Sequence, residues 1–313
     1  MPKVAEAREH TSVLTRELLE GLRVLPGGLY VDCTVGAGGH AEAVLEASSP
    51  GGRLLGIDLD PKAVRAAERR LKRFNGSFVI ENDNFANLAE IAARHGFIRV
   101  HGVYFDLGIS SMQLGEPGRG FSFQRGEEPL DMRMDPRQAR TASELVNSYS
   151  VEDLAKVLRT YGEEPRSWAI ARRIAANRPV ETTGQLARLV EGAAHDGGHH
   201  RIHPATKVFQ ALRIWVNNEL GNLERALRQA LEILGSGGRV AAISFHSLED
   251  RLVKTVFHEE SIDCLCPPTT PVCVCGHKAT IRLVTKKVIV PSREEVLENR
   301  RSRSAKLRIA EKL

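Results

Sequence analysis

Residues 30–40 read YVDCTVGAGGH. The opening residues predict a short buried strand, the glycines predict a tight turn, and residues 41–47 predict a helix behind it. Glycine suits such a turn because it accepts positive φ angles and has no Cβ to keep a ligand away from the backbone. Free N–H groups at the start of the helix favour polar or anionic ligand groups. The segment therefore predicts a ligand-binding turn between a strand and a helix.

A second apolar strand, residues 53–58 (RLLGID), ends in Asp58. Its distance of roughly 20 residues from the turn is the spacing of a nucleotide-binding βαβ unit. The carboxylate of Asp58 can accept two hydrogen bonds from a ribose diol. The turn is not the dinucleotide pattern G-x-G-x-x-G, because position 41 is alanine. A G-x-G-G turn followed by an acid suits one adenosine ligand without a pyrophosphate, such as S-adenosylmethionine, although a plain turn in an α/β protein remains the alternative.

The composition limits the class of protein. The chain has 313 residues, with 44 Lys and Arg against 39 Asp and Glu, so its net charge is +5. This mild excess permits a nucleic-acid partner without requiring one. No segment is typical of a membrane span and the N-terminus has no apolar signal region, so we expect a cytoplasmic protein with no membrane partner.

Further strands follow in alternation with helices. Residues 77–80 predict a third strand leading to Phe85, and residues 100–106 predict a fourth strand ending at Asp106. This alternation is typical of a parallel sheet covered on both faces, in which ligands bind beyond the carboxyl ends of the strands. The glycine turn, Asp58, Phe85 and Asp106 all follow such ends. Phe85 is expected either to cover an adenine or to pack in the core.

The pattern changes after residue 113. A long loop at residues 115–135 precedes several helices with almost no strand character, and a fifth strand returns at residues 239–245. We therefore predict an α/β domain made of residues 1–113 and 206–313, interrupted by a helical insertion at 114–205 that recognises the substrate. The basic run at residues 300–306 is the best candidate for phosphate contacts.

Four of the five cysteines form two C-x-C pairs, Cys264 with Cys266 and Cys273 with Cys275. The usual zinc knuckle is C-x-x-C, in which two intervening residues let both thiolates face one ion. We therefore favour a loop with free thiols and predict no metal site, with zinc as the alternative. Cys33 is expected to be an apolar core residue.

Seven strings occur in order and resemble the bacterial 16S rRNA (cytosine-N4-)-methyltransferase family. The resemblance covers essentially the whole chain. The strings are HTSVL at 10–14, GAGGH at 36–40, DLGISSMQL at 106–114, RGFSF at 119–123, LDMRMD at 130–135, FQALRIWVN at 209–217 and ISFHSLEDR at 243–251.

The resemblance implies an S-adenosylmethionine-dependent enzyme that methylates the exocyclic amine of a cytidine in the decoding centre. Its partner would be 16S rRNA, within the small ribosomal subunit, and no protein partner is inferred. The implied fold is α/β, a Rossmann-like methyltransferase domain with a mostly parallel sheet, interrupted by a helical domain. The implied cofactor-binding residues are Gly38, Gly39, His40, Asp58, Phe85, Asp106 and Gln113.

Asp106 is the candidate catalytic residue. It is expected to orient the amine or the methionine end of the donor, or else only to bind the donor. Many amine methyltransferases carry Asp/Asn-Pro-Pro-aromatic after the fourth strand, whereas residues 106–109 here read DLGI. The resemblance therefore does not extend to the catalytic geometry of those enzymes.

Three other functions remain to be distinguished. A nicotinamide-dependent oxidoreductase would need a third turn glycine, which the sequence lacks. A non-catalytic rRNA-binding assembly factor would be expected to have lost the glycine turn or Asp58, and both are intact. Methylation of DNA or of a small molecule is the third, and the basic tail and the insertion favour a macromolecular substrate.

Overall fold

The computed structural model describes residues 12–193, 203–270 and 272–313. His10 and Thr11, which open the first string of the resemblance, lie outside the described residues. The chain forms two compact units. One comprises the described residues up to Gly108 together with Asn222–Leu313, and the other is Ile109–Gly221.

The described residues contain seven strands, thirteen α-helices and three short 3-10 helices. The strands are β1 (Leu29–Asp32), β2 (Arg53–Ile57), β3 (Phe78–Glu81), β4 (Val100–Asp106), β5 (Leu234–Ser244), β6 (Ile281–Leu283) and β7 (Lys306–Lys312). The helices are α1 (Thr15–Leu22), α2 (Gly39–Ala47), α3 (Pro61–Leu71), α4 (Leu88–Arg94), α5 (Ser111–Gly115), α6 (Ala142–Ser148), α7 (Val151–Gly162), α8 (Ser167–Ala175), α9 (Thr183–Ala193), α10 (Ala205–Asn217), α11 (Glu219–Ile233), α12 (Ser247–Glu260) and α13 (Arg293–Glu298).

The strands form one sheet in the order β3-β2-β1-β4-β5-β7-β6. The first five pair in parallel, whereas β7 is antiparallel to β5 and β6 is antiparallel to β7. This confirms the predicted α/β class with a mostly parallel sheet. Chain order reverses between β1 and β4, and the carboxyl ends of strands at such a reversal are the usual ligand site of an open α/β sheet.

Both faces of the sheet are buried, as the apolar strands predicted. Val31 and Val103 belong to one core cluster, which includes side chains of α4, α11 and α12. Their chain neighbours Tyr30 and Tyr104 belong to a second cluster, which includes side chains of α1, α2 and α3. Successive residues of a strand point to opposite faces of the sheet, so each of the two faces is covered by its own layer of helices.

The second unit is helical and has its own core, formed by side chains of α6 to α10. Its bounds differ from the predicted insertion at 114–205, because α10 belongs to it and not to the sheet unit. Val208, Phe209 and Leu212 of α10 are buried in this helical core. A helix-period apolar face does not show which of two cores it joins, which is why the sequence misplaced this boundary.

Strand β5 begins earlier than expected. We predicted a glycine-rich stop at residues 235–238 and a strand from Arg239, but β5 already starts at Leu234. Its register against β4 shifts between Val100 and Gly102, so the glycines lie in an irregular part of the strand. Among the described residues, no helix is both long enough and apolar enough to span a bilayer.

Candidate functional site

Three adjacent strands of the sheet unit end in an aspartate. Asp32 ends β1, Asp106 ends β4, and Asp58 directly follows β2. Because β1 lies between β2 and β4, the three carboxyl groups follow neighbouring strands at the point where strand order reverses. The structure thus brings Asp58 and Asp106 to one edge of the sheet, as predicted, and adds Asp32.

The glycine turn is tied to this edge. Gly36 has a φ of 53° and donates its N–H to Asp58 Oδ2 at 2.8 Å. Gly38 has a φ of 83°, and a Cβ there would lie 3.2 Å from the Cα of Ala67 in α3. A side chain at Gly38 would therefore be strained by its backbone conformation and pressed against a neighbouring helix. Gly39 follows it as the first residue of α2.

Asp58 is held by two backbone amides. Besides the bond from Gly36, its Oδ1 accepts a hydrogen bond from the N–H of Asp60 at 2.9 Å. Burial raises the pKa of Asp58 to about 6, and these two bonds keep the increase from being larger. The N–H of Leu59 also acts on this carboxyl group. A carboxylate has about four acceptor positions, so Asp58 can still accept a hydrogen bond from a ligand.

Asp106 is positioned through its backbone. Its N–H donates to Thr34 Oγ1 at 2.6 Å, which links the end of β4 to the segment after β1. Its Oδ1 is buried and has no hydrogen-bond partner within the described residues. Burial, and then the charge of Glu249, raise the pKa of Asp106 to about 7. A buried carboxylate oxygen without a donor is costly, so a ligand that supplies positive charge or a donor would stabilise it.

His40 lies beside that carboxylate. It is buried, its Nδ1 lies 3.5 Å from Asp106 Oδ2, and its Nε2 lies 2.8 Å from the Val13 carbonyl oxygen. A carbonyl oxygen only accepts, so Nε2 carries a proton. Burial lowers the pKa of His40, although the charge of Asp32 partly offsets this effect. When the ring of His40 is neutral and Nε2 holds the proton, Nδ1 can only accept a hydrogen bond. Nδ1 and an ionised Asp106 would then be two acceptors facing each other, so the arrangement is stable when Asp106 holds a proton.

Sequence reasoning missed Asp32. It is 1% exposed, and its Oδ1 accepts a hydrogen bond from the N–H of Thr34 at 3.0 Å. Burial raises its pKa to about 7, with the nearby charge of Asp106 acting in the same direction. A signal was present, since LYVD, RLLGID and VYFD share an apolar run that ends in aspartate. Only two of the three were singled out.

Sequence reasoning also missed Glu249, which lies in the string ISFHSLEDR at 243–251. It is the third residue of α12 and closes a capping box with His246. Its Oε2 accepts hydrogen bonds from the N–H groups of Phe245 at 2.8 Å and His246 at 3.2 Å. This fixes the exit of β5 and places a further negative charge near Asp106.

Phe85 and Gln113 lie in different units. Phe85 follows β3 and is half-buried, and its ring meets the edge of Phe105 at 6.0 Å between centroids. The Asn82 side chain donates to the Asp58 carbonyl oxygen at 2.9 Å, so the segment leading to Phe85 is tied to the Asp58 loop. Gln113 belongs to the helical unit, where its Oε1 accepts a hydrogen bond from Ser110 N–H and closes the capping box of α5.

In the basic run at residues 300–306, three arginines are exposed and the lysine forms an ion pair within the protein. Arg300, Arg301 and Arg303 are exposed and form no ion pair within the described parts of the chain. Lys306 instead pairs with Asp250 at 3.1 Å. The three free guanidinium groups suit contacts with phosphates.

The segment before those arginines reaches the site. Glu295 of α13 accepts a hydrogen bond from Leu14 N–H at 2.8 Å. The preceding residue, Val13, is the one whose carbonyl oxygen contacts His40. A chain of direct contacts therefore joins α13, which leads into the free arginines, to the residues around Asp106.

The site combines a glycine turn with three aspartates, of which Asp32 is buried and Asp58 and Asp106 are partly buried. The pKa of each of the three is raised. Such a group of acids favours a ligand that carries positive charge, because the charge would offset the cost of ionising them. S-adenosylmethionine fits this requirement, since it has a sulfonium and an ammonium group. Its ribose diol suits the remaining acceptor capacity of Asp58.

Comparisons with known proteins point to one family. The sequence model of the MraW methylase family matches residues 7–313. A protein named Ribosomal RNA small subunit methyltransferase H from Dehalococcoides mccartyi is 54% identical over 304 residues, which cover 97% of this chain and 86% of that protein. Proteins of the same name from Thermomicrobium roseum and Syntrophotalea carbinolica are 52% and 49% identical, covering 97% and 98% of this chain and 94% and 99% of theirs.

Proposed function

Because the chain belongs to the MraW methylase family, we propose that it transfers a methyl group from S-adenosylmethionine to small-subunit ribosomal RNA. The relatives named above are small-subunit rRNA methyltransferases, which supports this substrate class. The finer proposal is that the acceptor is the exocyclic N4 amine of a cytidine in the decoding centre of 16S rRNA. The partner is then the small ribosomal subunit, and the place of action is the cytoplasm.

The three aspartates at the strand ends support the donor part of the proposal. We assign the ribose diol to Asp58, the adenine to the region of Phe85, and the positively charged end to the side of Asp32 and Asp106. Gly38, Gly39 and His40 complete the cradle at the start of α2, and Gln113 stays a proposed cofactor-binding residue. When bound, S-adenosylmethionine supplies an electrophilic methyl group on a positively charged sulfur.

The acceptor is a poor nucleophile, because its nitrogen lone pair is delocalised into the cytosine ring. An enzyme helps by fixing the line of attack and by accepting one N–H of the amine. Asp106 Oδ1 suits this role, since it is buried and has no donor within the described residues. We propose that Asp106 orients the amine and that solvent takes the proton late. The target base must leave its stack to reach such a site.

Asp106→Asn tests this role, because it keeps the shape of the side chain and removes its charge. We expect turnover at saturating donor to fall by roughly 100-fold, the order of loss produced by misplacing a reacting group. Donor affinity should fall only a few-fold. If turnover at saturating donor survives while affinity is lost, Asp106 only binds the donor.

The exposed arginines carry the RNA part of the proposal. Arg301→Ala with Arg303→Ala should weaken binding to small subunits and flatten its salt dependence, since about 0.7 of a counterion is released for each phosphate contact to single-stranded RNA. Arg99→Ala with Arg225→Ala is a matched control, because it removes two exposed arginines that form no ion pair within the described residues. Equal weakening in both double variants would show a general charge effect and no RNA site at the arginines.

A methyl-transfer assay with labelled donor tests the function itself. Unmethylated small subunits and naked 16S rRNA are compared as substrates, and the product nucleoside is identified by mass spectrometry. We expect N4-methylcytidine, with intact subunits preferred. No transfer to either substrate would indicate a non-catalytic assembly factor, and a thermal shift with NAD but not with S-adenosylmethionine would indicate an oxidoreductase.

A further inference from the structure

Four cysteines outside the proposed methylation site converge in the sheet unit. Their Sγ atoms all lie within 4.8 Å of one another. The Sγ atom of Cys264 is 3.4 Å from that of Cys273 and 3.9 Å from that of Cys275. The Sγ atoms of Cys273 and Cys275 are 3.6 Å apart. A disulfide has an S–S distance of about 2.05 Å, so these sulfurs are neighbours without being bonded to one another.

We propose that Cys264, Cys266, Cys273 and Cys275 bind one structural zinc ion. Zinc takes four thiolates at about 2.3 Å in a tetrahedron, which places the sulfurs about 3.8 Å apart. The observed separations of 3.4, 3.6 and 3.9 Å bracket that value. The sequence favoured free thiols because neither pair has C-x-x-C spacing. The structure changes that interpretation, since each C-x-C pair supplies two ligands from its own arm of the loop.

Backbone amides already point at the sulfurs. Leu265 N–H donates to Cys275 Sγ at 3.3 Å, and Val274 N–H donates to Cys266 Sγ at 3.4 Å. These two bonds are reciprocal, because the residue inside each C-x-C pair donates to a sulfur of the other pair. A third bond runs from Cys266 N–H to Cys264 Sγ at 3.4 Å. Such bonds stabilise negative charge on sulfur, which is the form that binds a metal.

The loop that carries the cysteines has little else to hold its tip. Leu265, Val272 and Val274 are 47%, 71% and 83% exposed. Among the described residues, none from 261 to 280 belongs to an apolar core cluster. Hydrogen bonds fix the base of the loop, where Thr280 N–H donates to the Glu260 carbonyl oxygen at 2.8 Å and Ala279 N–H donates to Asp263 Oδ1 at 3.1 Å. A metal centre would supply the order that a core supplies elsewhere.

Zinc binding at the four cysteines would release protons. Four Zn–S bonds form, and each thiol loses one proton to solvent as its thiolate binds. With four protein ligands no position stays open for water or substrate, so the site is structural and takes no part in catalysis. Its consequence is local, since it would fix the connection between the end of α12 and the start of β6.

Metal content is the first measurement. The full chain is produced in zinc-supplied medium, freed of any affinity tag, and purified under reducing conditions without a chelator. We expect about one zinc per chain by elemental mass spectrometry, the stoichiometry of a closed four-thiolate site. Cys273→Ser with Cys275→Ser should remove it. Val274→Ser is the matched control, because it places serine between the same two cysteines and keeps all the thiols and the backbone N–H.

Two measurements on the unchanged protein keep the proposal testable if the double variant misfolds. Thiol reagent should react slowly with the native protein and quickly with four thiols after zinc is chelated, since Cys33 is buried. Cobalt added after chelation should give the visible bands of a tetrahedral thiolate site. A metal-free isolate with four fast thiols and no cobalt spectrum would overturn the proposal, as would two disulfides or bound iron in place of zinc.

Discussion

Carboxylates in two regions of the sheet unit differ in their charged neighbours: those in the antiparallel part of the sheet, and those at the carboxyl ends of the parallel strands. In the antiparallel part of the sheet, Glu311 of β7 lies 2.9 Å from a guanidinium nitrogen of Arg239 of β5, and both side chains are buried. Burial alone would raise the pKa of Glu311, but hydrogen bonds from Arg239 and Arg282 lower it below its usual value. Asp250 behaves alike, because Arg308 and Lys306 outweigh its burial and lower its pKa.

The acids of the candidate site have no such partners. Burial raises the pKa values of Asp32 and Asp106 to about 7 and that of Asp58 to about 6, and no lysine or arginine among the described residues is a main influence that lowers them. The same fold neutralises its structural acids with arginine and leaves these three for another cation. The comparison therefore separates carboxylates that stabilise the fold from carboxylates whose ionisation awaits a ligand.

Glu311→Gln should have the largest effect on stability. It leaves Arg239 buried without a carboxylate, and breaking a buried ion pair costs about 3–5 kcal/mol. The pKa of Glu311 is lowered in the folded state, so its stabilisation is present above the unfolded pKa of about 4.3 and is lost in more acidic solution.

Chemical denaturation at pH 7 and at about pH 3, well below the unfolded pKa, measures this effect. The difference between wild type and variant should be large at pH 7 and should shrink in acid. Donor affinity of the folded variant should be unchanged. A loss of donor affinity would show that the antiparallel part of the sheet also affects the donor site.

Asp58→Asn should chiefly affect the donor. It replaces a charged acceptor of the ribose diol with an amide, and hydrogen bonds to charged groups are worth about 1.5–3 kcal/mol. We expect donor affinity, measured by calorimetry, to fall roughly 10- to 100-fold, since about 1.4 kcal/mol is tenfold. Glu311→Gln serves as its control. Unchanged affinity would remove Asp58 from the donor site.

Asp106→Asn should have the smallest effect on stability, and of opposite sign to that of Glu311→Gln. The folded pKa of Asp106 is raised to about 7, so its ionisation destabilises the ligand-free protein increasingly as the pH rises toward that value. The full rise of this pKa from about 4 to about 7 would correspond to about 4 kcal/mol. The Asp106 side chain is 24% exposed and solvent screens its charge, so removing the charge should stabilise the ligand-free protein at pH 8 by on the order of 1 kcal/mol.

Thermal melting of the ligand-free protein checks this prediction. The gain corresponds to a rise of about 2–4 °C in a domain of 150–250 residues. The variant's advantage should disappear as the pH falls toward the unfolded pKa of about 4. A variant that is less stable than wild type at pH 8 would mean that Asp106 has a cationic partner after all.

Local patterns predicted the parts of the site that are built from neighbouring residues. Asp60 followed by Pro61 is a sequence pattern typical of a helix start, and in the structure Asp60 accepts a hydrogen bond from Lys62 N–H at 2.9 Å at the start of α3. The strand ends with Asp58 and Asp106 were found because an apolar run that ends in an acid is visible without knowing the pairing. Asp32 shows the same pattern but was not singled out beside the glycine turn.

Long-range features were beyond the sequence. The apolar face of α10 fits either core, and only packing shows that Phe209 and Leu212 join the helical one. The two C-x-C pairs are separated by a loop, and their spacing gives no sign that four sulfurs meet. Glu249 is nearly 150 residues from Asp106 along the chain, and only the folded sheet brings its charge to bear on that carboxyl.

Donor affinity as a function of pH tests most directly whether the three acids await a cation. Calorimetry with S-adenosylmethionine and with S-adenosylhomocysteine, between about pH 5 and 7.5, keeps the donor's own ammonium protonated. We predict that S-adenosylmethionine binds more tightly as the pH rises toward about 7, with release of protons on binding. The uncharged sulfur of S-adenosylhomocysteine should give a weaker rise. An affinity for S-adenosylmethionine that is flat or falls over this range would contradict the account.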